Sequence, residues 1–425
     1  AGLAGMIIIK DTIEAQLNLP RTYGVDDFPV ILQDRRYSAS GQFIVTALGD
    51  SMLVNGTPRP YLDCPQQVVR LRVLNASNAR VYNLGFSDNR NFYVIASDAS
   101  LLSQPYLTNR LMLGNGERVE ILVDMTTDLV GSNVVLMSYG ASLPTDVPGA
   151  ITGMLGGNGP LEAADFGILQ LNVQPQTASP VLSIPSALMT ATPWNSANAN
   201  RTRNKSISGM GNVNATMGNF FMDNTTFNMN VVNDTMLLND IEVWNITSTA
   251  NIAHPVHIHD ISFYILERNG NAPPAYEGGL KDVFFIRPNE TLKIIMKFED
   301  YANDTMPFMT HCHNLAHEDM GMMTQFIVIN SITAVPEIVY NENEISVYPN
   351  PFITSTTISV SPEIKNNFTE WNFELYDLSG RKVFEIKNIT TSQIQLEREN
   401  LSGGIYFYKI TTKEKIIATG KMCIE

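Results

Sequence analysis

Basic residues are scarce in this chain, and no stretch of it concentrates them. The 425 residues include 28 lysines and arginines against 42 aspartates and glutamates, a formal net charge of -14 at pH 7. Nucleic acids and anionic membranes are both bound through clustered Lys and Arg. The composition therefore argues against both as partners.

Cysteine is also rare, and long apolar runs are missing. The three cysteines, Cys64, Cys312 and Cys423, cannot form a disulfide framework for a chain of this length. No uninterrupted apolar run approaches the roughly 18 residues of a membrane-spanning helix, so no membrane span is expected. Hydrophobic residues nevertheless make up 44% of the chain, which predicts packed globular domains, roughly two to four for this length.

All six histidines lie in two short runs, HPVHIH at 254–259 and HCHNLAHEDMGM at 311–322. The second run also contains one of the three cysteines and two methionines. Such a concentration of nitrogen and sulfur donors predicts a metal site. The alternatives are a zinc site or histidines that are hydrogen-bonded within a core, but this many ligand types in one register favours a redox metal.

One set of these residues suits a mononuclear copper. A copper that cycles between Cu(I) and Cu(II) prefers two imidazoles, one thiolate and a weak axial thioether. Cys312, His317 and Met322 follow one another at intervals of five residues, which suits a strand end, a tight loop and the start of the next strand. His254 would complete the set.

The remaining histidines form two His-x-His pairs. Residues i and i+2 of a strand point to the same face, so His257 with His259, and His311 with His313, can each direct two rings to one place. They predict a second metal centre. Because Cys312 lies between His311 and His313, the backbone provides a short covalent route between the two centres.

These motifs resemble those of the multicopper oxidases. HPVHIH, HCHNLAHED, YEGGLKDV at 276–283 and KFEDY at 297–301 are similar to the bacterial laccases of the spore-coat type and to the bilirubin oxidases. The resemblance implies type 1 copper ligands at His254, Cys312, His317 and Met322, a type 2 ligand at His257, and type 3 ligands at His259, His311 and His313.

The resemblance also implies a reaction. A phenolic, pigment or metal-ion reductant would give up single electrons near the exposed edge of His254 or His317. The electrons would pass through Cys312, and four of them would reduce O2 to water. Glu318 matches a carboxylate that relays protons in the spore-coat branch; its alternative interpretation is a solvated surface acid.

Alternating patterns predict β-strands along most of the chain. In VVRLRVLN at 68–75, Val69, Leu71 and Val73 would face inward, and Arg70 and Arg72 would lie on the other face. Strand is therefore the expected structure there.

Two strand motifs recur, which indicates an internal repeat. LRVLNAS and GERVEILVD in the first half are echoed by IEVWNIT and NETLKIIMKF in the second. Between them the second copy carries HPVHIH, and the first carries NARVYNLGF without histidine. The prediction is an all-β chain of tandem cupredoxin-like Greek-key β-barrels, only the second of which binds metal, followed by a small C-terminal β-sandwich.

The opening AGLAGMIIIKD resembles the last strand of the first cupredoxin domain in this family. A three-copper cluster in the family needs eight histidines, and this chain supplies four. We therefore expect a C-terminal part of a longer enzyme that does not reduce O2 alone. The predicted divisions are a first-domain remnant (1–20), a second cupredoxin domain without copper ligands (21–175), an interdomain connection (176–205), a third cupredoxin domain (206–332), and a linker with a C-terminal sorting domain (333–425).

The last residues carry a different set of motifs. After the acidic linker AVPEIVYNENE come VYPNPF, LYDLSGRKV, LSGGIYFYKI and a final hairpin from TTKEK to IATGKMCIE. These marks resemble the C-terminal sorting domain of the type IX secretion route. The resemblance implies the type IX machinery as a partner, and export to the surface or surroundings of a Gram-negative bacterium. An ordinary small β-sandwich for carbohydrate or surface binding is the alternative.

Five methionines precede the first histidine run: Met210, Met217, Met222, Met229 and Met236. They could form a Cu(I)-handling surface, but gap-filling in the core is the favoured interpretation.

Two other functions remain open. One is a non-enzymatic, secreted copper protein that carries electrons or sequesters copper at the cell surface. The other is a surface-adhesion protein with a relict copper fold.

Overall fold

Short β-strands account for most of the regular structure, which confirms the predicted all-β class. The chain divides into two compact units, Ala1–Ser331 and Ile332–Glu425, and each is described by itself. The computed structural model describes residues 3–190, 192–211, 218–330, 345–361, 369–412 and 416–425.

The first unit contains two barrels. We call the first of these, residues 27–174, the first barrel, and it consists of two sheets. One sheet runs β4-β3-β1-β6-β11-β8-β9 with β2 on β1, and the other runs β10-β7-β12-β13-β5. Their inner faces enclose one apolar core. The strands are β1 (Asp27–Tyr37), β2 (Phe43–Ile44), β3 (Ser51–Val54), β4 (Thr57–Pro58), β5 (Tyr61–Pro65), β6 (Val68–Asn75), β7 (Tyr82–Phe86), β8 (Phe92–Ala96), β9 (Leu101–Thr108), β10 (Leu111–Leu113), β11 (Arg118–Asp124), β12 (Asn133–Tyr139) and β13 (Asp165–Gln174).

The second barrel, residues 201–329, follows in the same unit. Its sheets run β15-β14-β17-β21-β19 and β16-β23-β22-β18-β20. The strands are β14 (Arg201–Gly211), β15 (Gly218–Met222), β16 (Asp234–Leu237), β17 (Ile241–Ser248), β18 (His254–Ile258), β19 (Phe263–Arg268), β20 (Val283–Ile286), β21 (Thr291–Lys297), β22 (Asn303–Cys312) and β23 (Met323–Ile329). Strand β14 thus occupies the last five residues of the predicted interdomain connection.

The two barrels have the same strand pairing, as the internal repeat predicts. In the first barrel β1 is parallel to β6, which is antiparallel to β11, which is antiparallel to β8. In the second barrel β14, β17, β21 and β19 repeat this order and these directions. The histidine strand β18 takes the place of β7, whose sequence has no histidine.

The helices in the described part of the chain are short. One of these, α1, is an α-helix and spans Leu315–Asp319. The 3-10 helices are Glu14–Gln16, Gly140–Ser142, Met154–Gly156, Ser196–Asn198 and Ala275–Glu277. Among the described residues, no helix is long and apolar enough to cross a membrane.

Strand β6 forms where it is predicted, and its arginines, on the face opposite Val69, Leu71 and Val73, are buried. Arg70 Nη1 lies 2.6 Å from Glu14 Oε1, and Arg72 Nε lies 2.8 Å from Asp27 Oδ1. Both guanidinium groups also contact Glu120. The segment before β1 covers this face, so the alternation of apolar and charged residues marks two buried faces rather than one.

The opening segment does not form the predicted strand. Residues 3–11 have no regular structure, and the side chains of Leu3, Ile7 and Ile9 are exposed. A strand needs a neighbouring strand edge for its backbone hydrogen bonds. Within the part of the chain that the structure describes, no strand pairs with this segment.

The methionines before the first histidine run do not share one environment. Met222 and Met236 are buried in the core of the second barrel, as gap-filling predicts. Met210 and Met229 are exposed, so the core interpretation is wrong for them. Met217 lies outside the described residues.

The second unit is a small two-sheet sandwich, as predicted. The sheets β24-β25-β28 and β27-β26-β29-β30 enclose an apolar core that includes Trp371. The predicted linker at 333–344 and the tip of the final hairpin at 413–415 lie outside the described residues. The strands are β24 (Ile345–Tyr348), β25 (Ser355–Val360), β26 (Trp371–Tyr376), β27 (Lys382–Ile389), β28 (Gln393–Glu397), β29 (Gly404–Thr411) and β30 (Ile416–Ile424).

Candidate metal centres

One group of ligand atoms converges at the end of the second barrel. Cys312 Sγ lies 3.5 Å from Nδ1 of His254 and 3.7 Å from Nδ1 of His317. The three ligand atoms lie within 4.8 Å of one another, and all three residues are buried. We call this group, together with Met322, the thiolate site. His254 opens β18 and Cys312 ends β22, so neighbouring strands bring together residues that are 58 positions apart.

The loop that carries the rest of the thiolate site is closed by its own backbone. The Cys312 amide donates to the Met322 carbonyl at 3.1 Å, and the Met322 amide donates to the His317 carbonyl at 2.9 Å. The Asn314 amide donates to Cys312 Sγ at 3.4 Å. Helix α1 occupies the stretch that the sequence predicts as a tight loop. Met322 is fully buried directly before β23.

Burial determines which residues of the thiolate site carry a proton when no metal is bound. Burial raises the pKa of the Cys312 thiol to about 12, so the thiol is protonated at neutral pH. Burial lowers the pKa of His317 to about 4, and burial with the nearby His317 charge lowers the pKa of His254 well below its ordinary value. Both imidazoles are therefore neutral and can each offer a lone pair to a metal.

The donor set of the thiolate site fits copper. Two imidazole nitrogens and one sulfur converge, and the only further donor predicted is the thioether of Met322. A closed structural zinc site takes four ligands from cysteine, histidine and carboxylates. Two imidazoles, a thiolate and a weak axial thioether are instead the ligands of a blue copper. The Nε2 atoms of His254 and His317 are buried without a hydrogen-bond partner among the described residues.

Neither imidazole of the thiolate site has the exposed edge that the sequence-based mechanism expects. The Phe220 ring centroid lies 4.7 Å from that of His254 and 4.5 Å from that of His317. His254 is 0% exposed and His317 is 1% exposed. Strand β15 brings Phe220 over both rings, and nothing in the sequence marks this residue as part of the site.

This contact predicts a shielding effect that can be measured. Phe220→Leu nearly conserves volume and is expected to cost less than about 1.5 kcal/mol in unfolding free energy. We expect a chelator to remove copper from the variant severalfold faster, because water reaches the imidazoles more easily. Phe298→Leu, which alters the same core away from the imidazoles, is the control. Equal removal rates in both variants would contradict the shielding role.

The second group of histidines lies on adjacent strands. His257 on β18 pairs in register with His311 on β22. His259 Nε2 lies 3.2 Å from His311 Nε2, and ligand atoms of these three residues lie within 4.8 Å of one another. The His313 ring is farther away, with its centroid 5.8 Å from that of His311 and 6.2 Å from that of His257. We call these four residues the histidine site.

Two rings of the histidine site are held at Nδ1 by backbone carbonyl oxygens. His257 Nδ1 lies 2.9 Å from the Asp282 carbonyl oxygen, and His311 Nδ1 lies 3.1 Å from the Cys312 carbonyl oxygen. Donation at Nδ1 leaves Nε2 available to a metal. Burial, with the charges of His257 and His311, lowers the pKa of His259 to about 4. Neutral, closely spaced imidazoles of this kind fit copper.

Glu318 lies beside the histidine site. Its Oε2 atom is 3.6 Å from His311 Nδ1, and its side chain is 32% exposed. Burial and the neighbouring Asp319 raise its pKa above the ordinary value for a glutamate. The carboxyl therefore faces both solvent and a candidate ligand.

A solvent-open cleft adjoins the histidine site. His257 and His313 border it, and Met6 and Ile7 contribute to its other side. The empty space measures about 1100 Å³. The opening segment of the chain thus lies next to the histidine site.

Comparison with known proteins places these observations in a family. Profiles described as multicopper oxidase match residues 32–153 and 194–331. A profile described as a secretion system C-terminal sorting domain matches residues 346–425. The two oxidase matches fall on the two barrels, and the third falls on the second unit.

Individual relatives agree with the profiles. The chain is 33% identical to the cell division protein FtsP of Xenorhabdus nematophila over 77% of this chain and 66% of that protein. It is 30% identical to the bilirubin oxidase of Albifimbria verrucaria over 80% of this chain and 59% of that protein. Among solved structures, the multicopper oxidase McoA from the hyperthermophile Aquifex aeolicus matches with a TM-score of 0.66 and 30% identity, over 77% of this chain and 72% of McoA.

The barrels and their donor groups thus have the fold and ligand chemistry of copper-binding cupredoxin proteins. The chain belongs to the multicopper oxidase family, as its sequence predicts, and it carries a C-terminal secretion sorting domain. It spans about three fifths to two thirds of the length of the curated relatives named above.

Proposed function

We propose that this chain binds copper at the thiolate site and the histidine site, and serves the oxidation of a small reductant by O2. The observation that carries the proposal is the convergence of His254, Cys312 and His317 in one buried group. The same strand end carries His311 and His313 on either side of the cysteine, so one short segment serves both sites.

The proposed ligand roles follow the family pattern. His254, Cys312, His317 and Met322 would hold a type 1 copper, His257 a type 2 copper, and His259, His311 and His313 the type 3 coppers. When bound, copper at such sites accepts single electrons from a phenol, a pigment or a metal ion and supplies four electrons for the reduction of O2 to two waters.

The residues of the chain contribute several parts of this function. Burial keeps water from Cys312 and keeps the imidazoles neutral. The peptide bonds from Cys312 to His311 and His313 connect the two sites covalently. Glu318 stands where it can hold a proton beside His311, 3.6 Å from Nδ1.

A complete three-copper cluster would need more imidazoles than this sequence contains. All six histidines already belong to the two sites, and only four of them lie in the histidine site. We propose that four further imidazoles come from outside these 425 residues, and that O2 reduction requires them.

Copper loading and oxygen uptake test the proposal together. The 425-residue chain is loaded with Cu(II), and its visible spectrum and its O2 uptake with a phenolic dye are recorded. We expect a blue charge-transfer band and no appreciable uptake. Lack of the band would contradict the thiolate site, and uptake as fast as in a full-length relative would contradict the need for further imidazoles.

A separate prediction concerns Glu318 and is tested in protein that has been supplied with the four further imidazoles and reduces O2. Glu318→Gln is expected to slow O2 reduction about 100-fold or more, because a positioned acid–base group contributes that much, and to leave the blue band intact. Asp319→Asn changes the neighbouring carboxylate and is the matched control. An equal loss in both variants, or none in Glu318→Gln, would contradict a proton-relay role.

A non-enzymatic copper or electron carrier is the second candidate function. It is supported by the similarity to FtsP, which is named as a cell division protein. Such a protein would show the blue band but no O2 uptake even after the four further imidazoles are supplied. The oxidase proposal predicts uptake under those conditions.

The sorting domain supports a proposal for location. Its match over residues 346–425 suggests recognition by the type IX secretion machinery, and release or attachment at the surface of a Gram-negative cell. Deletion of this domain is expected to leave the protein inside the cell.

A further inference from the structure

We propose that the first barrel, which contains no histidine, positions two histidines of the second barrel through residues 114–118, the turn after β10 together with the first residue of β11. Asn115 and Gly116 would position His313, and Arg118 would position His257. The inference rests on the proposed copper function. It states that these residues of the first barrel raise the copper affinity of the histidine site by holding His313 and His257 in position.

The first part of the turn supports His313 directly. Asn115 Nδ2 donates a hydrogen bond to the His313 carbonyl oxygen. Gly116 has a φ of +85°, and a Cβ atom at this position would lie 2.6 Å from His313 Cδ2 and 2.7 Å from Cγ. The His313 ring therefore lies directly on the Gly116 backbone, and a larger residue would displace the ring.

Arg118 acts on His257 through Asp282. His257 Nδ1 is held by the Asp282 carbonyl oxygen at 2.9 Å. Both terminal nitrogens of Arg118 donate hydrogen bonds to the Asp282 carboxylate, and the Nη2–Oδ2 distance is 2.7 Å. This ion pair therefore fixes the residue whose carbonyl oxygen holds His257 Nδ1.

A second contact between the barrels fixes the residue before Asp282. Lys281 Nζ lies 3.0 Å from Asp98 Oδ2 and 3.1 Å from Glu117 Oε1. Lys281 is 4% exposed, and Asp98 is fully buried. Asp98 also accepts the Arg118 amide at 2.8 Å and the Val283 amide at 3.3 Å. The segment 281–283 is thus held against the first barrel by backbone and side-chain contacts.

The turn itself is held in one conformation. The Gly116 amide donates to the Asn75 carbonyl at 2.8 Å, and the Asn75 amide donates to the Glu117 carbonyl at 3.1 Å. Glu117 Oε2 accepts the Gly114 amide at 2.7 Å. Partners of metal-binding histidines that fix ring orientation change metal affinity about 10- to 100-fold when they are removed. We therefore infer that the turn, a rigid support, sets the affinity of the histidine site.

The thiolate site offers an internal control for the test. It lies on the same barrel, and the turn contacts none of its three converging ligands in the contacts given above. A variant that merely unfolds the protein would lose both sites. A variant that disturbs positioning would lose affinity only at the histidine site.

The experiment compares Arg118→Lys with Arg287→Lys in the 425-residue chain. Lysine keeps the charge but cannot grip a carboxylate with two parallel hydrogen bonds. Arg287 makes the matched bidentate pair with Asp146 of the first barrel, at 2.9 and 3.1 Å, and its side-chain hydrogen bonds among the described residues go to Asp146 rather than to a candidate ligand. Cu(II) is titrated against a competing chelator. The blue band reports the thiolate site, and the ordinary Cu(II) electron paramagnetic resonance signal reports the histidine site.

We expect Arg118→Lys to weaken copper binding at the histidine site about 10- to 100-fold, with the blue band and the apo unfolding temperature close to those of the parent. Arg287→Lys should leave both sites unchanged. Gly116→Ala is the second variant. It should also weaken copper binding at the histidine site, because the added methyl group displaces the His313 ring.

Unchanged affinity in Arg118→Lys, or equal weakening in Arg287→Lys, would overturn the inference and leave the proposed function standing. A parent chain that takes up no copper would overturn the proposed function and the inference together.

Discussion

Cys312→Ser is expected to abolish the blue charge-transfer band of the copper-loaded chain completely. The band arises from the thiolate, and a serine hydroxyl is a much poorer ligand for copper. Among the hydrogen-bond contacts described above, Cys312 Sγ is the sulfur that lies near the neutral rings of His254 and His317. Copper bound by the histidine site should remain, with an ordinary electron paramagnetic resonance signal.

Cys64→Ala provides the control for this prediction. Cys64 is a second buried thiol, on β5 of the first barrel, and its pKa is likewise raised to about 12 by burial. The variant should keep the full band. A band that survives in Cys312→Ser, or disappears in Cys64→Ala, would place the thiolate ligand elsewhere.

Arg80→Met is expected to lower the free energy of unfolding more than any other variant proposed here. Arg80 Nε lies 2.9 Å from Asp34 Oδ2, and Nη2 lies 2.9 Å from Glu162 Oε1. The arginine side chain is 1% exposed and both carboxylates are 0% exposed. Removal of the cation leaves two buried carboxylates without the guanidinium charge that balances theirs, which costs about 3 to 5 kcal/mol. Denaturant unfolding of the apo chain measures this loss.

An exposed pair gives the comparison for Arg80. Lys297 Nζ lies 2.6 Å from Glu299 Oε1, but the glutamate side chain is 52% exposed. Lys297→Met should therefore cost less than about 1 kcal/mol. Similar losses in the two variants would show that the buried network does not hold the first barrel together.

The strands and the repeat could be predicted because they depend on local patterns. Alternation in VVRLRVLN and ERVEILVD specifies β6 and β11, and the recurrence of both motifs specifies the tandem barrels. The ligand candidates could be named because histidine and cysteine are rare here and concentrated in two runs. The structure then brings His254, Cys312 and His317 together.

What the sequence could not reveal depends on contacts between distant positions. Arg118 and Asp282 are 164 residues apart, and neither belongs to a pattern that marks an ion pair. Phe220 is one of 19 phenylalanines, and only the path of β15 brings it over the imidazoles. The burial of Arg70 and Arg72 on β6 could not be predicted, because the segment that covers them has no periodic signal.

Part of the missing information was present as a motif without an assigned role. KDV at 281–283 contributes to the family resemblance, and the structure shows that Lys281 and Asp282 join the barrels beside His257. Gly116 has a positive φ of +85°, a conformation that glycine adopts without steric cost. Its close approach to His313 required the structure.

X-ray absorption at the copper edge tests the central claim most directly. The 425-residue chain is loaded with Cu(II) to saturation and compared with Cys312→Ser. The proposed sites predict a copper–sulfur scattering path together with imidazole nitrogen in the parent, and imidazole alone in the variant. A parent spectrum that is described fully by nitrogen and oxygen ligands would contradict copper binding by Cys312.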